Sequence, residues 1–240
     1  MGKAALALLF ITLPAACFGD EPQERKVRIF ETVDVFWTGN ADNALQSDSA
    51  DAARELVNQG FDAAEATVQK QSAIGARVGV LIPVARVEGL DMGASVGYIS
   101  GPNSKTILNA RSAIFGQGFL VDDRRIQFLR GLAEAHYNLP LAGNWSMDLG
   151  AGAGAAMGFV RDSCSANGLL LNDCAFNYVT TSWTGFSWEA SPSIVYKVNS
   201  TLLDFGMRYA GFPKFGGTNN TSRIVWRPLG IFLGAAFRFD

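Results

Sequence analysis

Apolar and polar positions alternate with period two along most of the chain beyond residue 26. The clearest stretch is Asn144–Phe159. Its odd positions, Trp145, Met147, Leu149, Ala151, Ala153, Ala155, Met157 and Phe159, are all apolar. Its even positions, Ser146, Asp148, Gly150, Gly152, Gly154, Ala156 and Gly158, are small or polar. A period of two marks a strand with two unlike faces. The run is long against a mean strand of about 5–6 residues, and the glycine-lined face suits a crowded, narrow interior.

The same alternation recurs in Ile74–Val84 (opposed by Gly75, Arg77, Gly79 and Pro83), Met92–Tyr98 (Asp91, Gly93, Ser95, Gly97) and Leu129–Leu139 (Arg130, Glu134, His136, Asn138). It recurs again in Phe186–Tyr196 (Ser187, Glu189, Ser191, Ser193), Leu203–Tyr209 (Asp204, Gly206, Arg208) and Ile231–Phe239 (Gly234, Ala236, Arg238). A strand over Val27–Thr38 is less regular. There Glu31 shares a face with Val33, Val35 and Trp37, which asks for a bulge near Glu31 or a place at the membrane edge. Trp226 is out of phase with Ile231, and Pro228 between them suggests another bulge.

Eight strands result, and their connections alternate in length. Short ones fall near Val87–Leu90, Pro140–Asn144 and Val198–Thr201; long ones fall at about Gly39–Gln71, Gly101–Asp122, Asp162–Asn177 and Gly211–Ile224. No later run of ~18 apolar residues is present to make a transmembrane helix. A closed barrel also satisfies every backbone group in lipid, and short turns at one end with long loops at the other are its habit. Soluble eight-stranded barrels need no such alternation. Aromatic residues agree: Tyr137, Trp145, Tyr196 and Phe239 lie at the short-turn ends, and Trp37, Tyr98, Phe159, Tyr178 and Tyr209 at the long-loop ends. Two belts of amphipathic rings match two membrane interfaces. The predicted fold is all-β, an eight-stranded antiparallel up-and-down transmembrane β-barrel. In the first long loop, Asp48–Gln71 is alanine-rich, with Ala53, Val57, Phe61, Ala64 and Val68 near one helical face and Asp48 or Ser49 to cap it. A helical insertion over about 48–71 is therefore expected, broken near Gly60.

Composition narrows the function. Hydrophobic residues make up 48% and charged residues 18% of 240, which excludes intrinsic disorder. A formal charge of −2 and a pI near 5.5 give no bulk attraction to nucleic acid. The single histidine excludes a histidine-rich metal site, and the three cysteines do not stand at zinc-finger spacing. Met1–Gly2–Lys3, the ten apolar residues Ala4–Leu13, Pro14 and the small residues Ala15, Ala16, Cys17 and Gly19 read as an export signal. Cleavage after Gly19 divides the chain into a signal peptide, 1–19, and a barrel domain, 20–240. The rival is a lipoprotein acylated at Cys17.

The chain from Val27 to Asp240 resembles small eight-stranded outer-membrane proteins of Gram-negative bacteria, of the OmpA-barrel, OmpX and OmpW type. The resemblance rests on the signal peptide, the strand count, the loop alternation and the aromatic-rich last strand, IFLGAAFRFD. Phe239 resembles the terminal aromatic read by the barrel-assembly machinery in that family; Asp240 after it is a departure. The resemblance implies contact with outer-membrane lipid and lipopolysaccharide, the assembly machinery as a partner in biogenesis, and an extracellular partner reached through the long loops. It brings no catalytic motif, cofactor or metal.

With eight strands the lumen is just wide enough for side chains to fill. The inward set is Arg77, Asp91, Arg130, Glu134, His136, Asp148, Glu189, Asp204, Arg208 and Arg238. Both signs are present, so a salt-bridge plug is expected, because an unpaired charge there is costly. Its alternative is a narrow channel for small solutes or ions. Glu134 and His136 share a face and could serve as a base and its orienter, yet no His-x-Ser element accompanies them. A structural or surface-interaction barrel without catalysis leads, ahead of the channel, a lipid-modifying enzyme and a secreted lipocalin-like binder.

Removal of the signal leaves Cys164 and Cys174, bracketing SANGLLLND with Leu169–Leu171 as an apolar tip. In an oxidising compartment these two pair, which stabilises the loop by roughly 2–3 kcal/mol in the chain-entropy view. Mass mapping of exported protein without reductant is expected to find a linked Cys164–Cys174 peptide; two freely alkylated thiols would refute the pairing.

Overall fold

A computed structural model describes residues 27–37, 50–51, 53–58, 61–113, 116–167, 179–214 and 226–239. Ten strands run through them: β1 (Val27–Phe36), β2 (Ala63–Gln71), β3 (Ala73–Pro83), β4 (Leu90–Ser100), β5 (Asn103–Ser112), β6 (Gly116–Pro140), β7 (Trp145–Asn167), β8 (Val179–Val198), β9 (Thr201–Gly211) and β10 (Leu229–Phe239). Every pairing is antiparallel. Eight strands close a ring in the order β6-β4-β3-β1-β10-β9-β8-β7, with β7 pairing back to β6. The seam between the first and last strands runs from Val27 opposite Phe239 to Phe36 opposite Gly230.

The ring is inverted relative to a soluble barrel. Its outward positions are large and apolar: Val33, Ile74, Val78, Val96, Phe186, Phe205 and Leu233 are all exposed, while Arg77, Arg130, Glu189 and Arg208 are buried inside. Such a wall is stable only against hydrocarbon, so the fold is a transmembrane β-barrel. Trp37, Tyr98, Tyr137, Trp145 and Tyr209 stand exposed on this wall near strand ends. Tyr196 leans on Trp145, ring centroids 4.5 Å apart, and Phe239 ends β10 opposite Val27.

Four sequence expectations change. Glu31 sits in no bulge: β1 pairs without interruption to both β3 and β10, with Glu31 opposite Val78 and Ala235. Its carboxyl therefore belongs to the outer wall, well inside the strand. Trp226 also needs no bulge. Trp226, Pro228, Gly230 and Phe232 keep one parity, all buried, so Trp226 points into the lumen. The helix expected over 48–71 is much shorter. Residues 50, 51 and 53–58 are helical, and Ala63–Gln71 is strand β2, paired along its length to β5. A neighbouring strand supplies hydrogen bonds to this backbone, which overrides the helical preference of its alanines. Two of the long loops thus contain an additional strand, and the sheet has ten strands rather than eight. Tyr178, Cys174 and Leu169–Leu171 lie outside the described residues.

The additional strands make an extension above one rim. β2 and β3 run as one line against β4 and β5 without change of register, Gln71 facing Asn103 and Ile74 facing Ser100. Against β6 the line slips by one residue between Ser100–Gln127 and Ser104–Arg124. Gly101, at φ 121°, takes this kink where a side chain would strike Ala73. The Ile126 N–H beside the slip donates to Asn103 Oδ1 at 3.1 Å. β6 and β7 continue past the rim, 25 and 23 residues long. The short helix packs Ala53 and Leu56 onto Leu108 and Ala110 of this extension, while Val57 stays exposed.

The outer wall sets a testable asymmetry. Ala153→Arg, midway along the outward row of β7, is expected to cost roughly 2–4 kcal/mol of folding in bilayers, with Ala153→Leu close to neutral. Urea titration of the heat-modifiable gel shift in phosphatidylcholine vesicles reads both; equal behaviour would contradict the facing assignment.

Candidate functional site

The inward rows fill the lumen in three layers. At the end marked by the short turns, Phe30, Leu81, Val195, Leu202 and Ala236 form an apolar layer, with Arg28 bonded to Asp91 at the mouth. At the other end Phe36, Ile99, Ile126, Phe128, Val160, Phe212 and Trp226 form a second apolar layer, with Trp183 packed against it. Its rings stack closely: Phe212 and Trp226 lie 4.6 Å apart and Phe128 and Trp226 5.5 Å apart. Between the layers lies the charge.

Glu189 is the hub of that charge. Its carboxylate is met by Arg77 from β3, by Arg130 from β6 at 2.7 Å and by Arg208 from β9 at 3.5 Å. Arg77 continues to Glu134 at 2.7 Å, and Arg208 continues to Asp34 on β1. Ser95 donates to Glu134 from β4. From Glu134 the chain of contacts runs to His136 Nε2 at 3.1 Å, and from His136 Nδ1 to Asp148 Oδ2 at 2.5 Å. Six of the eight barrel strands thus contribute to one circuit besides β8, which carries Glu189. β4 gives it only the Ser95 hydroxyl and β10 no polar group, yet Phe232 of β10 lies under the Arg208 guanidinium at 4.3 Å. Phe30 lies under Arg77 at 5.0 Å and Phe212 under Arg130 at 5.7 Å. Each arginine is held between carboxylate and aromatic ring, which suits its planar, weakly hydrated cation.

Local sequence makes the room. A Cβ on Gly150 would lie 2.8 Å from His136 Cε1 and 2.5 Å from Ser191 Oγ; one on Gly152 would press on Glu134 and Glu189 together, 3.3 Å from each Cγ. The glycines of β7 are the space that its neighbours' charged side chains occupy.

Of the ten lumen residues singled out in the sequence, seven meet in this circuit: Arg77, Arg130, Glu134, His136, Asp148, Glu189 and Arg208. Asp91 pairs instead with Arg28 at the mouth, where Arg238 stands opposite Arg28 across the seam. Asp204 faces the lumen from β9 outside the circuit. Sequence reasoning missed Arg28 and Asp34. The signal was their parity, since both alternate with Val33 and Val35, but the charge of Glu31 in the apolar row blurs the two faces of that strand. Cys164 lies on β7 opposite Asp122, and its intended partner lies outside the described residues.

Breaking the hub is expected to be severe. Glu189→Ala leaves three buried guanidinium groups without their shared counter-charge, and a loss of about 3–5 kcal/mol follows from breaking one partner of a buried pair. The exposed pair of Arg125 with Asp123 at 3.3 Å is the contrast, and Arg125→Ala is expected to change stability by under ~1 kcal/mol. Urea midpoints of the two variants in the same vesicles compare them; similar midpoints would remove Glu189 from its central place.

No protein-family model matches the chain, and no curated protein does. Solved structures do resemble it. Neisserial surface protein A, NspA, is 11% identical, with 89% of this chain and 97% of that one covered at a TM-score of 0.46. Ail, the attachment invasion locus protein of Yersinia pestis, in complex with the heparin analogue sucrose octasulfate, is 11% identical over 89% and 99% at a TM-score of 0.40. The outer membrane protein OprG from Pseudomonas aeruginosa is 12% identical over 90% and 97% at a TM-score of 0.38.

Proposed function

We propose that this protein is a non-conducting, non-catalytic barrel of a Gram-negative outer membrane, exported by a cleaved signal peptide, whose role is carried by the surface it raises above the membrane. The filled lumen is the observation that carries the reading. An ion crossing the barrel would meet the ring-stacked layer of Phe128, Phe212 and Trp226, then the Glu189 circuit, then the layer around Phe30 and Leu81. Paired charges packed between apolar layers leave no continuous column of water.

The same geometry speaks against hydrolysis. Both ring nitrogens of His136 are engaged by carboxylates, and the Ser95 hydroxyl donates to Glu134 rather than approaching the imidazole. A nucleophile and its base must lie within hydrogen-bond reach of each other. What the barrel does offer is the extension: long strands, a packed helix and exposed side chains such as Arg111, Gln117 and Phe119 beyond the rim. Binding residues gather on such projections above rigid scaffolds. Lipid and lipopolysaccharide surround the wall in this reading, and the assembly machinery handles the closing strand.

Planar-bilayer recording of the purified protein tests the plug. Little or no steady current is expected from the wild type, whereas Arg130→Ala with Arg208→Ala loosens the circuit and raises leak. Stable, ion-selective steps from the wild type would make the same charges the lining of a pore.

A further inference from the structure

Glu31 is the one acidic or basic side chain on the outer wall between the aromatic belts, among the described residues. It is exposed, and no hydrogen bond or ion pair reaches its carboxyl among those residues. Its depth follows from the ladders. One way round the ring, Glu31 leads to Ala235, Leu203 and Tyr196, in the belt at the short-turn end. The other way it leads to Val78, Val96, Gly131 and Ala155. It is the fifth residue of β1, which places it about 10 Å above the strand's start at a tilt of 35–45°. That depth is inside an apolar band about 25 Å tall.

Around the carboxyl the wall is indented. A groove of about 710 Å³ runs over Glu31, lined by Ala76, Val96, Tyr98, Leu203 and Leu233 among others. The small side chains of Ala76 and Ala235 set the floor, and the larger ones set the walls. The volume lies in the range of sites for drug-sized ligands, roughly 300–1,000 Å³, in which a few polar groups fix orientation within apolar walls. A carboxyl facing lipid lowers barrel stability, and a charge kept at such a depth points to function.

We infer that this groove is a membrane-side binding site for an amphiphile that joins an amine to an alkyl or acyl chain, with Glu31 as the counter-charge. The complementarity is specific. Among the described residues the outer wall carries no cation beside Glu31, and Arg77, which borders the groove, turns its guanidinium inward to Glu134 and Glu189, so the matching charge has to arrive with the ligand. The apolar lining takes the chain, and Tyr98 at the groove's edge presents an aromatic ring to a cation. The site is on the outside of the barrel and is independent of whether the lumen conducts.

Methyl-labelled barrel in phosphatidylcholine nanodiscs, titrated with N,N-dimethyldodecylamine and separately with 1-dodecanol, tests the assignment by NMR. Saturable shifts of the Val78, Val96, Leu203 and Leu233 methyls are expected with the amine. A charge-assisted contact contributes about 1.5–3 kcal/mol, so about tenfold or greater weakening is expected for Glu31→Gln and for the alcohol. Glu31→Gln keeps the size of the side chain and relieves the wall of a charge, so folding, checked by the gel shift, is retained. Equal saturation by the alcohol, or undiminished binding in Glu31→Gln, would leave only an apolar groove and overturn the proposal. Shifts that never saturate would mean no site. Shifts that follow the protein-to-lipid ratio without amine would make a second copy the occupant, which also overturns it.

Discussion

Closure of the ring governs everything inside it. In hydrocarbon each strand must give all its backbone hydrogen bonds to two neighbours, and eight strands that do so enclose an axis only as wide as the side chains that reach it. With Glu31 the exception among the charged residues between the aromatic belts, the polar side chains of these period-two strands turn away from lipid, so they converge. Glu189 illustrates the result: carried on β8, it lies within bonding reach of arginines from β3, β6 and β9. Isolated ions in that space would cost several kcal/mol each. The circuit is less an added stabilising device than the one arrangement that lets the polar face of each strand be buried at all.

The layers on either side of the circuit follow from the same constraint. Stacked aromatic rings at one end, and Phe30 with aliphatic groups at the other, exclude water from the charges and lower the local dielectric, which strengthens every pair between them and raises the cost of losing any one. The glycines of β7 belong to this account as well, because the bulk of His136, Glu134 and Glu189 needs a neighbouring strand with nothing to place there.

Much of this was legible in the sequence because a barrel strand writes its two faces at a period of two. The row from Trp145 to Phe159 gave a lipid face and a lumen face directly, and the arginines and carboxylates could be assigned inward by parity alone. Illegible parts share a physical cause: their partners are remote in sequence. Ala63–Gln71 has local helical preference, and only β5, some forty residues on, makes it a strand. Trp226 is out of phase with the outward Ile231 and so suggests a bulge at Pro228, whereas it keeps the inward parity and caps the lumen against Phe36, Phe128 and Phe212. Which arginine meets which acid follows from strand tilt and stagger, and these are properties of the closed ring.

That remoteness bears on how the molecule comes into being. Arg77 and Glu189 are 112 residues apart, Arg208 and Asp34 174 apart, and the seam joins the first described residue to the last strand. Contacts of such separation make for slow folding, since the entropy of closing long loops is spent before the contacts form. An open sheet halfway to the ring would carry two unpaired edges and a row of arginines lacking their acids, neither of which hydrocarbon tolerates. Insertion and closure are thereby tied into a single event, and the chain has to be held out of the membrane core until β10 is present to meet β1.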